Sequence, residues 1–178
     1  MVDGASTAGP TRNRYCPPMA SRTSAGILLY RTRYGELAVL LAHPGGPFFA
    51  RRDHGHWTIP KGEDDGDGES LESVARREFR EETGHDAPAD RPLIDLGSIV
   101  QKGGKTVFAW AVEGDLDPAA AASLPFEMEW PPGSGRTGSF PEIDRVAWFE
   151  PAEARARIKE SQIPFIDRLE TALGRSQG

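Results

Sequence analysis

Apolar positions along the chain alternate between two rhythms. Ala25–Tyr30 and Leu37–Ala42 are short, nearly continuous apolar runs. Such runs predict strands of a sheet covered on both faces. Arg31–Glu36, with Gly35 inside it, predicts the turn between them. His43-Pro44-Gly45-Gly46-Pro47 breaks regular structure. Phe48–His56 reads as a loop, and Trp57–Gly62 as a short strand ending in a turn. From Leu71 the spacing changes to threes and fours, which predicts a helix with Ser70 as N-cap and Gly84 as C-terminal stop. Leu93–Val100 and Thr106–Val112 predict two more strands, joined as a hairpin through Lys102-Gly103-Gly104-Lys105. Glu113–Pro141 reads as a long irregular stretch holding a helix-like turn at Ala119–Ala122. In its Phe126–Trp130 portion acids alternate with apolar groups, as in a strand edge or a lid over a pocket. Val146–Phe149 predicts a strand. A helix is predicted over Pro151–Lys159, and another after Pro164 with Phe165, Leu169 and Leu173 on it. Short strands interspersed with helices indicate an α/β fold.

The helix from Leu71 carries the first sign of chemistry. At roughly 100° per residue, Leu71, Val74, Ala75 and Phe79 form one apolar stripe. Glu78 and Glu82 fall inside that stripe and Glu81 on its edge. Glu72, Ser73, Arg76 and Arg80 take the opposite side. An ordinary solvated charge run would lie with the second group. Carboxylates aimed at a core are paired or hold a metal. Arg77 offers a partner, so a buried salt-bridge network is the competing reading, but one arginine cannot balance three glutamates. An all-oxygen donor set suits a hard ion such as Mg2+, or Mn2+ in its place, and not zinc. His54 and His56 alternate without cysteine or a third histidine nearby, which also argues against zinc.

Gly62, Glu69, Arg77, Glu78, Glu81, Glu82 and Gly84 together resemble the Nudix box, the signature of the Nudix hydrolase family. Three departures stand out: six residues rather than five separate Gly62 from Glu69, Phe79 replaces an aliphatic residue, and His85 replaces the last one. The extra residue falls in the acidic loop Asp64–Gly68, where insertions are well tolerated. The likeness extends from Ser24 to about Leu173. It implies a Nudix-type α/β/α sandwich with a mixed, curved sheet. It also implies a divalent metal held by Glu78, Glu81 and Glu82, with the Gly62 carbonyl beside it. Glu69 is then structural, orienting the loop or pairing with Arg77.

Composition narrows the setting. With 178 residues the chain suits one domain, expected over 21–175 behind a disordered tail over 1–20. The single cysteine, Cys16, excludes an internal disulfide and reads as an incidental thiol. No secretory leader or membrane-length apolar run is read, so the expected location is the cytoplasm. A net charge of −6 argues against a broad footprint on a nucleic-acid polymer, yet leaves room for a small anionic ligand.

The resemblance implies attack of water on a phosphorus of a nucleoside diphosphate linked to another moiety. Glu78, Glu81 and Glu82 are the expected catalytic and metal residues. The general base is expected to be a box glutamate or a later carboxylate, with Glu142 and Glu127 ranked together and Glu129 behind them. Arg51, Arg52, Lys61 and Phe49 are the expected substrate contacts: cations for phosphate and a ring for the base. Trp57 reads as core rather than a stacking platform. Neither the downstream proline of ADP-ribose hydrolases nor the tyrosine of diadenosine polyphosphate hydrolases occurs where the family places it. A nucleoside triphosphate or dinucleoside polyphosphate leads as substrate, with sugar nucleotides and inositol pyrophosphates open. A silent nucleotide-binding sensor is the alternative, and a homodimer is common in such families.

Overall fold

A computed structural model describes residues 22–174; the expected tail with Cys16, and residues 21 and 175 at the ends of the expected domain, lie outside them. The strands are β1 (Thr23–Arg33), β2 (Glu36–Pro44), β3 (Lys61–Glu63), β4 (Ile94–Val100), β5 (Thr106–Glu113), β6 (Pro125–Glu129), β7 (Thr137–Pro141) and β8 (Ile143–Phe149). The helices are α1 (Leu71–Thr83), α2 (Pro151–Arg157) and α3 (Ile163–Ala172). The main sheet runs β4-β5-β1-β2-β8, with β3 also on β1. It is mixed, because β1 and β5 are parallel and the other pairs antiparallel.

Alternation sorts the side chains. Ile27 and Leu29 of β1 and Leu40 of β2 pack on one face with Val74, Ala75 and Phe79 of α1. Leu28, Val39 and Leu41 point to the other face, where Phe165, Ile166 and Leu169 of α3 cover them. The result is the expected α/β/α sandwich, and covering on both faces is why β1 and β2 read as unbroken apolar runs. Among the described residues no helix is long and apolar enough to cross a membrane.

One edge of β1 is divided. Its far half, Tyr30–Arg33, pairs with β2, while Ser24–Gly26 pairs with β3. The chain between them, Trp57–Pro60, is inserted at the fork: Ile27 N–H bonds the Pro60 carbonyl at 3.0 Å, and Ala42 and Thr58 exchange backbone bonds. Gly26 permits this approach, since a Cβ there would lie 2.5 Å from the Pro60 oxygen.

Three predictions need correction. The first turn is only Tyr34-Gly35, both at positive φ, because β1 and β2 each run further than their apolar cores. His43 continues β2, buried, with Nδ1 2.8 Å from Asp144 and Nε2 2.6 Å from the Arg52 carbonyl. Most of the supposed irregular stretch is the β6–β7 hairpin. The alternation read at Phe126–Trp130 as a strand edge falls on β6; β7 carries no such alternation, and neither face of the hairpin is fully buried.

Candidate active site

The box begins on β3 and continues into α1. Ser70 caps the helix, its hydroxyl accepting the Ser73 N–H at 3.2 Å, and Gly84 ends it at φ 74°. Glu78 and Glu82 are buried among the apolar residues of that face, at 8% and 5% exposure, while Glu81 stays partly open. A Cβ on Gly62 would meet Glu78 Oε2 at 1.8 Å, so this position on β3 must be glycine for the carboxylate to rest there. The extra loop residue has therefore not moved Gly62 away from the helix. The loop absorbs it through Asp64 and Asp67, which accept the Gly66 and Glu69 amides, and through positive φ at Gly66 and Gly68.

Arg77 sits at the centre of the charge. Its Nη1 is 2.6 Å from Glu78, its Nε 3.3 Å from Glu69, and Glu81 lies 3.6 Å away. Burial works against its charge, but Glu78 and Glu69 hold it firmly protonated. Glu82 takes another partner, accepting the Lys61 backbone N–H at 2.9 Å. Burial pushes the Glu82 carboxyl up to about 8; Lys61 opposes the rise and Glu142 and Glu78 add to it. Burial raises Glu78 as well, against Arg77. Lys61 is held below its ordinary value, chiefly by burial, with Glu82 opposing.

Glu142 and Glu127, ranked together from the sequence, occupy different places. Glu142 precedes β8 and is felt by Glu78, Glu82 and Lys61. Its backbone is fixed on both sides: its N–H bonds the Leu124 carbonyl at 3.0 Å, and its carbonyl accepts the Gly45 N–H at 2.8 Å. Glu127 is exposed on β6, and Glu129 accepts the Gly135 amide within the hairpin turn. The segment Ala122–Leu124 ties these parts together. Its amides at Ala122 and Leu124 satisfy the Thr83 and Glu81 carbonyls at the end of α1. The Ser123 hydroxyl adds a side-chain link, accepting the Ile143 N–H at 2.9 Å and donating to the Ile143 carbonyl at 3.0 Å, while the links to α1 are main-chain groups that no residue type marks in the sequence. Beside them a cavity of about 600 Å³ opens against Arg77, Arg80, Glu81 and Leu124.

The predicted substrate loop is less concentrated. Arg51 and Arg52 are exposed; the Arg52 guanidinium lies 3.4 Å from His56, and Phe49 meets the His56 ring edgewise. Trp57 is core, 3% exposed, with its indole N–H donating to Asp53 at 2.6 Å.

Donor chemistry at the box fits a hard divalent cation: oxygen only, two carboxylates buried, and negative charge in excess of Arg77. The side chains are nevertheless not gathered, and among the described residues no three acidic or histidine groups stand together as a metal cage. Glu78 is turned to Arg77 and Glu82 to the Lys61 amide.

The NUDIX domain family model matches residues 20–169. The chain belongs to the Nudix family. Nudix hydrolases generally use divalent metals, in keeping with the donor set. An 8-oxo-(d)GTP phosphatase of Mycolicibacterium smegmatis is 35% identical over 101 residues, which are 53% of this chain and 31% of that protein. The chain thus matches under a third of that relative's length. The fold resembles an Ap4A hydrolase binary complex from C. elegans, with TM-score 0.60 and 20% identity over 86% of this chain and 98% of that one. It also resembles the NUDIX domain of Shewanella oneidensis NrtR complexed with ADP ribose, with TM-score 0.55 and 17% identity over 90% and 94%. At these identities the likeness concerns architecture.

Proposed function

We propose that this Nudix protein hydrolyses a phosphoric anhydride in a nucleoside polyphosphate, with a nucleoside triphosphate or dinucleoside polyphosphate as substrate and Mg2+ or Mn2+ as cofactor. The observation that carries the reading is the burial of Glu78 and Glu82 against Gly62 and Lys61, with Glu142 in electrostatic reach. Two carboxylates forced into a core are costly unless a cation or a proton repays them. The nucleotide names of the mycobacterial and nematode relatives support the substrate class.

Glu78, Glu81, Glu82 and the Gly62 carbonyl would hold the ion. When bound it would neutralise phosphoryl oxygens and lower the pKa of a coordinated water. Glu142 is the general base in this reading, with Glu82 the alternative from the box. The base takes one proton from water as its oxygen bonds to phosphorus. The anhydride P–O bond breaks, and the departing phosphate keeps the electron pair. Glu69 keeps Arg77 aligned, and Lys61 neutralises the phosphate chain. Arg51, Arg52 and Phe49 are assigned to the nucleoside end. Glu127 has no part in the chemistry.

Release of phosphate or mononucleotide from a panel of nucleotides, with and without Mg2+, tests the proposal. Glu82→Gln should lower turnover by about two orders of magnitude or more while the protein stays folded. Unchanged rates would reject the role. Tight nucleotide binding without any turnover would favour the silent sensor.

A further inference from the structure

The chain has 21 lysines and arginines, and only four are lysines: Lys61, Lys102, Lys105 and Lys159. All four come to one end of the sheet. Lys61 opens β3, which pairs with the first residues of β1. Lys102 and Lys105 lie in the turn that enters β5, whose first residue stands opposite Thr23 of β1. Lys159 follows α2 and bonds the Trp57 carbonyl through its backbone N–H at 2.9 Å. Lys159 feels the positive charges of Lys61 and Lys105, and Lys61 feels that of Lys105.

Two of the four stand beside carboxylates. Lys105 reaches Glu63 at 2.9 Å, and Lys61 faces Glu82. Lys102 and Lys159 instead line a separate cavity of about 530 Å³, together with Gly55, Gln101, Glu160 and Ser161. Among the described residues neither ammonium group has an ion pair or hydrogen bond. Glu160 is the one carboxylate in the lining. Gln101 adds a second sign of an absent acceptor, because its Nε2 is buried with no hydrogen-bond partner.

Gathering like charges costs free energy, all the more in a protein with a net charge of −6. A multiply charged anion reverses that cost, and the compact lysine ammonium is a point-charge ligand for phosphate. Lys61 borders the carboxylate cluster, so the lysines lead from the site of the proposed chemistry to this cavity. Building on the hydrolase reading, we propose that the cavity lined by Gln101, Lys102, Lys159 and Ser161 receives the distal phosphates of the substrate, which makes the preferred substrate a chain of three or more phosphates.

Calorimetric titration with inorganic tripolyphosphate tests this without any turnover. Protein freed of divalent metal should bind tripolyphosphate, and Lys102→Ala/Lys159→Ala should bind it about tenfold or more weakly. Lys102→Gln/Lys159→Gln, which keeps the apolar stems, serves if the alanine variant loses its thermal transition. Arg33→Ala, which removes a distant cation paired with Asp115, should bind as the wild type does. A non-hydrolysable nucleoside polyphosphate should displace the tripolyphosphate. No binding by the wild type, equal binding by the lysine variants, equal weakening in Arg33→Ala, or failure of displacement would each overturn the assignment. Because none of these readouts needs hydrolysis, a failed nucleotide panel and a failed cavity are told apart.

Discussion

α1 and α3 cover opposite faces of the same sheet and do so with different materials. α3 buries Phe165, Ile166 and Leu169, and no charged side chain. α1 buries Val74, Ala75 and Phe79 alongside Glu78 and Glu82. The face that one helix buries is apolar throughout. The other gives up part of its packing face to two acids whose burial opposes folding. The contrast separates what holds this domain together from what it is built to do.

The comparison is broken most severely from the α3 side. Phe165→Ala should destabilise the protein by about 3–5 kcal/mol, the range for deleting a buried phenylalanine. Urea unfolding measures this, and a loss below about 1 kcal/mol would mean that α3 is not the structural face. Gly62→Ala attacks the α1 side by placing a methyl on the Glu78 carboxylate. Turnover should fall about a hundredfold, near 2.7 kcal/mol in barrier, with a smaller overpacking cost to stability. A variant at least as active as the wild type would deny that Glu78 must rest on β3.

The acids make a prediction about pH with a definite sign. Burial pushes the folded Glu82 carboxyl up to about 8 from an ordinary 4.5, so between these values the native state should hold a proton that the unfolded chain has lost. Metal-free protein should therefore lose stability as pH rises through that window. Glu82→Gln should flatten the dependence and be the more stable form at pH 8.5. Equal slopes in chelator would show that Glu82 is solvated. The smallest effect belongs to the cap: Ser70→Ala should cost about 1 kcal/mol in the same unfolding assay and leave the sheet's other face untouched.

Much of this division is legible in the sequence, for reasons of period. The buried set on α1 follows from angles alone, since a helix turns every residue through a fixed step. β1 and β2 are found because both faces are covered. Of the β6–β7 hairpin only the β6 alternation is legible; β7 and the pairing escape because the hairpin buries little. Glu142 cannot be distinguished from Glu127 by neighbouring residues, because its placement depends on main-chain bonds to Leu124 and Gly45. The convergence of the lysines is equally invisible: they are spread between positions 61 and 159, and it takes the pairing of β3, β1 and β5 together with the Lys159 bond to the Trp57 carbonyl to bring them to one end.

Leu124 donates its amide to Glu81 of α1 and offers its carbonyl to Glu142. A single residue thus works as a ruler between the box and the acid that precedes β8. Anything that grows beyond that ruler, in the hairpin from β6 to β7, can lengthen or change composition without altering the spacing of the two acidic elements.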